Sequence, residues 1–121
     1  MTRQNGKTNP RLLTLITRLK ETSRKNEVGI WRDIADRLEA PSRNYAEVNI
    51  SKISRYASGG ETFIVPGKVL GTGALTEPVV VAALNFSSSA LEKIEKAKGT
   101  CLTIEELLKK NPKGNGVRIL R

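Results

Sequence analysis

The stretch FIVPGKVLGTG, Phe63 to Gly73, decides the fold. Its apolar lead-in and its glycines around a lysine resemble a phosphate loop. Such a loop needs G-x-x-x-x-G-K-[ST], because backbone N–H groups wrap the phosphates and a hydroxyl holds magnesium. Here Gly67-Lys68 is followed by Val69, and Thr62 stands where the first glycine belongs. Gly71 and Gly73 would need a third glycine at 76 for a dinucleotide fingerprint, and that position is Thr76. Both patterns fail at the positions that carry their mechanism. ETFIVPG and KVLGTG therefore read as two short strands separated by Pro66-Gly67, with Lys68 presenting one charge on a stiff turn.

The neighbouring segments agree with a strand-and-helix chain. EPVVVAALNF is a continuous apolar run, expected as a strand buried on both faces. In YAEVNI, Ala46, Val48 and Ile50 alternate with polar partners at strand period, and SKISRYA follows as a short helix with Ile53 and Ala57 inward. Upstream, Asn9-Pro10 opens a helix whose Leu12, Leu15, Ile16 and Leu19 recur at helical spacing, ending near Asn26. A second helix is expected from about Ile30 to Ala40, stopped by Pro41, with Ile30, Ile34 and Leu38 as its buried row and Trp31 and Ala35 beside them.

Downstream, SSSALEKIEKAKG has capping-box spacing at Ser89 and Glu92 and a terminating Gly99. TIEELLKKNP repeats the device with Thr103 and Glu106. Val117 to Leu120 forms a last strand. The order is two helices, then short strands interleaved with short helices. That is α/β, in one domain spanning residues 1–121, with a flexible basic arm over about 1–8 and a basic, glycine-containing segment over about 109–121.

Charge is the strongest compositional signal. The 121 residues carry 21 Lys+Arg against 12 Asp+Glu, a net +9. Residues 1–25 hold seven basic residues and one acid, and residues 109–121 hold five basic residues and none. Basic ends on a nearly neutral middle suit a folded body that binds a polyanion; the plainer alternative is a merely soluble basic protein. No apolar run approaches the ~20 residues of a bilayer span, and the N-terminus lacks an apolar signal core. With Cys101 alone, no intramolecular disulfide forms. A soluble, cytoplasmic chain with no membrane partner is expected.

Catalysis finds little support. There is no histidine, the commonest general base and metal ligand, and a single cysteine builds no thiolate metal site. Asp33 with Asp36 has arginines at hand, and Glu105 with Glu106 sits in a helix's first turn, where negative charge favours the dipole. Trp31 sits beside a buried row and reads as core. Tyr45 and Tyr56 are able to stack on bases, though neither lies in an aromatic RNA-binding motif. Neither cofactor, metal nor small-molecule substrate is expected. Many cations with few base-reading groups favour recognition of a folded RNA by shape and backbone. A general nucleic-acid or chromatin binder shares that signature; a nucleotide-using enzyme would rest on the failed loop.

Six segments in order, TNPRLLTLITRLK, IWRDIADRLEAP, AEVNISKISRYA, VPGKVLGTG, VAALNFSSSALEKI and NPKGNGVRILR, resemble the archaeal and eukaryotic large-subunit ribosomal protein eighteen-e family, related to bacterial large-subunit protein fifteen. The similarity runs from about Thr8 to Arg121, and the compact size resembles archaeal members. The resemblance implies a structural, non-enzymatic component of the large subunit, with large-subunit ribosomal RNA and neighbouring ribosomal proteins as partners. It also implies short strands and helices wound in an irregular β-β-α superhelix after N-terminal helices. Charge placement supplies the RNA-facing candidates: Arg3, Lys7, Arg11, Arg18, Lys25, Arg32, Arg43, Lys52, Lys68, Lys113, Arg118 and Arg121. Lys93, Lys96 and Lys98, sharing a helix with Glu92 and Glu95, read as ordinary solvated surface.

Overall fold

The computed structural model describes residues 9–57 and 61–121. The expected arm, with Arg3 and Lys7, lies outside them.

Helix α1 spans Pro10–Asn26. The Asn9 side chain accepts from the Arg11 backbone N–H at 2.9 Å, and proline fills the first helical position without losing a needed bond. The left-handed residue that ends it is Glu27, φ 56°, and Gly29 instead begins α2, Gly29–Glu39. The buried face of α2 is Trp31, Ile34, Ala35 and Leu38. Ile30 is only half-buried, so the stripe is centred one position beyond the expected row. Trp31 is fully buried and its indole N–H donates to the Pro112 carbonyl at 2.7 Å, as a core tryptophan needs.

A short 3-10 turn, Ser42–Asn44, leads into β1, Ala46–Asn49, then α3, Ile50–Tyr56. Next come β2, Thr62–Leu70, and β3, Val80–Phe86. The chain closes with α4, Ser88–Lys96, β4, Thr100–Thr103, α5, Ile104–Lys110, and β5, Val117–Ile119. The 3-10 turn and β4 carry no apolar alternation that announces them. All strand pairs are parallel, in the order β1-β2-β3-β4, with β5 also on β2. The fold is mixed α/β: N-terminal helices, then a parallel sheet with interspersed helices.

The expected pair of strands at Phe63–Gly73 is one strand. β2 runs through Pro66 and Gly67 without a turn. Its register on β3 shifts there: Val65 faces Ala83, but Lys68 faces Asn85. Two residues of β2 thus oppose Leu84, a bulge. On the other edge of β2, β5 pairs Thr62 to Ile64 and β1 pairs Gly67 to Leu70. Pro66 falls between them, so its missing N–H costs no ladder bond. Gly67 permits the sheet to close: a Cβ there would lie 2.0 Å from the Ala46 carbonyl oxygen.

Side chains alternate across the sheet into two apolar layers. Ile64, Ala82 and Leu102 pack with α1, α2 and α5 on one face. Phe63, Val65, Val81 and Ala83 pack with α3 and α4 on the other. β3 is buried on both faces as its sequence implies.

α4 corrects two expectations. Its N-cap is Ser87, whose hydroxyl accepts from Ala90 N–H at 3.2 Å, not Ser89. The left-handed residue after it is Lys98, φ 64°, not Gly99. Gly99 serves close approach instead, because a Cβ there would meet the Val79 carbonyl oxygen at 2.5 Å. At α5 the expected capping box is complete: Thr103 Oγ accepts from Glu106 N–H at 3.1 Å, and Glu106 accepts from Thr103 N–H at 2.8 Å.

Candidate nucleic-acid interface

The register shift in β2 sets up a polar row. Lys68 faces Glu47 on β1 and Asn85 on β3, so three polar side chains lie abreast on adjacent strands. Without the bulge Lys68 would face Phe86. This row forms the floor of a groove of about 780 Å³. Asn9, Arg11 and Leu12 at the start of α1 form one wall, and Pro41, Ser42, Arg43 and Tyr45 form the other. The groove lies toward the carboxyl ends of β2 and β3, the end of a parallel sheet where ligands usually bind.

Three predicted cations meet there, in different states. Arg11 is committed to the fold: its guanidinium donates to Glu105 at 2.7 and 3.1 Å and to the Leu84 carbonyl at 3.2 Å. That hydrogen bond holds the Glu105 carboxyl below its ordinary range, against the opposing effect of partial burial, with the charges of Arg11 and Arg18 assisting. The same bond raises Arg11. Arg43 and Lys68 are exposed, and neither forms an ion pair among the described residues. Tyr45 is held in place, its hydroxyl donating to the Leu38 carbonyl at 2.6 Å.

The other candidates are spread over the surface. Arg18 and Lys25 are exposed on α1. Arg32 pairs with Asp36 at 3.2 Å and its side chain is 61% exposed, so solvent screens the pair. Lys52 donates to the Arg121 carbonyl, tying α3 to the end of β5's extension. Arg121 lines a smaller hollow beside Arg37, Asn44 and Pro66. Ala46 borders both hollows, which makes the two basic clusters neighbours. Arg118 lies 4.6 Å over the Tyr56 ring, a cation–π contact, with Glu61 at 3.9 Å. Lys113 is exposed in the turn before β5.

Lys93 departs from its reading as ordinary surface. It is half-buried and donates to the Gly71 and Gly73 carbonyls, both at 2.6 Å. It clamps the helix-free connection between β2 and β3, whose Thr72 carbonyl in turn accepts from Ser51 N–H at 3.0 Å and caps α3. Asn9 and Asn85 were not among the candidates. Asn85 left one signal, a polar residue inside an otherwise apolar strand.

Among the described residues no cluster of metal-ligating side chains occurs, and no helix is long and apolar enough to cross a membrane.

Comparison with known proteins places the chain in a family. The chain is 69% identical to large ribosomal subunit protein eL18 of Methanoregula boonei over the whole of both chains. It is 68% identical to the Methanosphaerula palustris protein of the same name, again over both whole chains. The Halobacterium salinarum protein of that name is 54% identical, over 96% of this chain and 99% of its own length. Residues 1–121 match the family described as ribosomal protein 60S L18 and 50S L18e, and the chain belongs to that family of non-enzymatic ribosomal proteins.

Proposed function

We propose that the chain is a structural constituent of the large ribosomal subunit, holding ribosomal RNA through its backbone phosphates and supporting subunit assembly and translation in the cytoplasm. The observation that carries this is the groove: Arg43 and Lys68, drawn from a 3-10 turn and a bulged strand, converge there without internal ion pairs among the described residues. A cation not spent on the fold is free to neutralise phosphate and release counterions. Arg18, Lys25, Lys113, Arg118 and Arg121 extend the basic surface, and Arg3 and Lys7 in the arm precede Asn9 at the groove's edge. Arg11 and Lys52 serve the fold first, and Arg32 carries only a solvent-screened pair with Asp36.

The chain acts as one ribosomal-protein domain with a basic arm over about 1–8. The sequential march β1-β2-β3-β4, broken only by the helix-free step from β2 to β3, supports an irregular β-β-α superhelix as its winding. The acidic residues of the middle suit faces turned to neighbouring ribosomal proteins or solvent.

Sedimentation tests the reading. The tagged protein should travel with the large subunit in a lysate gradient, and the purified protein should bind large-subunit RNA with strong salt dependence. Recovery solely in the ribosome-free fraction would refute it.

A further inference from the structure

We infer that the 3-10 turn Ser42–Asn44 enters the minor groove of an RNA duplex, and that the hollows on its two sides each take one of the duplex's two backbones. This rests on the RNA-binding reading above and goes further, because it names the form of RNA that this surface takes.

Three observations carry it. The first is shape. Pro41, Ser42, Arg43 and Asn44 are four consecutive exposed residues. Ser42 and Arg43 wall the Lys68 groove, whereas Asn44 walls the smaller hollow that holds Arg121. Ala46 borders both, and β2 likewise passes from Pro66 in the smaller to Gly67 in the larger. The turn is therefore a ridge between two depressions. The minor groove of an RNA duplex is wide and shallow and admits a low ridge, whereas its major groove is too deep and narrow for one.

The second is the order of chemistry across the ridge. Arg43 and Lys68 lie on one side and Arg121 on the other, all exposed and none in an ion pair among the described residues. Between them the ridge carries Ser42 and Asn44, uncharged side chains that both donate and accept. Crossing the minor groove of an RNA duplex meets phosphate, then 2′-hydroxyls, then phosphate. Cations outside and hydroxyl-bonding groups inside match that order.

The third is the floor of the larger depression. Glu47, Lys68 and Asn85 lie abreast on adjacent strands, with Lys68 in the middle. A cation flanked by two groups that bond hydroxyls suits a ribose–phosphate–ribose run laid across the strands. A phosphodiester has no proton to give a carboxylate, whereas a ribose 2′-hydroxyl does, so Glu47 favours RNA over DNA beside the lysine that takes the charge. Sites for single strands stack bases on open aromatic rings. The aromatic residue lining these depressions is Tyr45, whose hydroxyl is already spent on the Leu38 carbonyl.

The experiment uses the full chain on protein-free large-subunit ribosomal RNA. An iron chelate on Ser42→Cys, in a Cys101→Ser background, releases hydroxyl radicals that cut nearby ribose. The cuts should fall on both strands of one RNA helix. Ribose footprinting should show both strands protected by the wild type, with protection of one lost in Arg43→Gln/Lys68→Gln and of the other in Arg121→Gln. In a duplex fragment carrying that footprint, 2′-deoxy substitution should weaken wild-type binding by roughly two- to ten-fold for each hydrogen bond lost. Ser42→Ala/Asn44→Ala should be less sensitive to the same substitution. Circular dichroism establishes that each variant is folded.

Cuts confined to one strand, or to unpaired nucleotides, would overturn the proposal, as would equal wild-type affinity for the RNA duplex and its 2′-deoxy counterpart. In either case RNA binding by the wild type would still stand. If the wild type itself fails to bind, the broader reading falls with it.

Discussion

Gly67 and Lys93 sit at two places where the chain comes close to itself. A methyl on Gly67 would run into the Ala46 carbonyl, a backbone atom that no rotamer change can move aside. Gly67→Ala should therefore separate β1 from β2 and destabilise the protein by at least about 2 kcal/mol in urea denaturation. Lys93 spends its ammonium on two loop carbonyls. Lys93→Met should cost about 1.5–3 kcal/mol, the scale of hydrogen bonds to a charged group. Lys96→Met, one turn on and exposed, should stay within about 0.5 kcal/mol. Cys101 is half-buried, and burial, then the Glu95 carboxylate, pushes its thiol up to about 11. It should react slowly with iodoacetamide at pH 7 while the protein is folded. At this scale the sequence was partly readable. Thr103 with Glu106 marked a real capping box because an apolar stripe began just after it. Ser89 with Glu92 had the same spacing, but Ser87 won the cap because α4 begins earlier. Lys93 was misread because sequence shows a lysine's neighbours on its own helix and not the loop folded across it.

At the scale of elements, α1 is tied to α5 and β3 by Arg11, which joins Glu105 to the Leu84 carbonyl. The lowered Glu105 carboxyl binds fewer protons folded than unfolded, so the pair contributes stability above the unfolded value of about 4.3 and loses it as pH falls through the folded value. Glu105→Gln should be less stable than wild type by about 0.5–1 kcal/mol at pH 7, a figure reduced by the pair's partial exposure. That difference should shrink below about pH 4 in urea melts taken across pH. Thr103→Ala should cost α5 about 1 kcal/mol by removing its cap. Long periodic elements such as α1 and β3 were legible because their burial follows a regular period. β2 was not: proline and glycine in tandem normally mark a turn, and only the partner strands reveal that Pro66 falls in a gap between β5 and β1. β4 was not legible because its Thr-Cys-Leu-Thr carries a single large apolar residue and runs straight into the cap of α5 at Thr103.

For the whole molecule, the sheet gathers cations that are far apart in sequence. Arg43 and Lys68 were each readable as candidates from charge alone, but their meeting depends on a bulge and a 3-10 turn that no local pattern encodes. Sequence likewise could not separate cations spent on the fold, such as Arg11, from those left for a partner. The claim that Arg43 and Lys68 neutralise RNA phosphates makes a quantitative demand on binding. The most direct test is the dependence of affinity for large-subunit ribosomal RNA on salt, for wild type, for Arg43→Gln/Lys68→Gln, and for Lys96→Gln/Lys98→Asn at and just beyond the end of α4. Each phosphate left without its cation should lower the slope of log K against log salt by roughly 0.7–0.9. The groove variant should therefore fall by about 1.5 in slope while the Lys96/Lys98 variant matches wild type. Equal slopes for all three proteins, with both variants folded, would contradict the account.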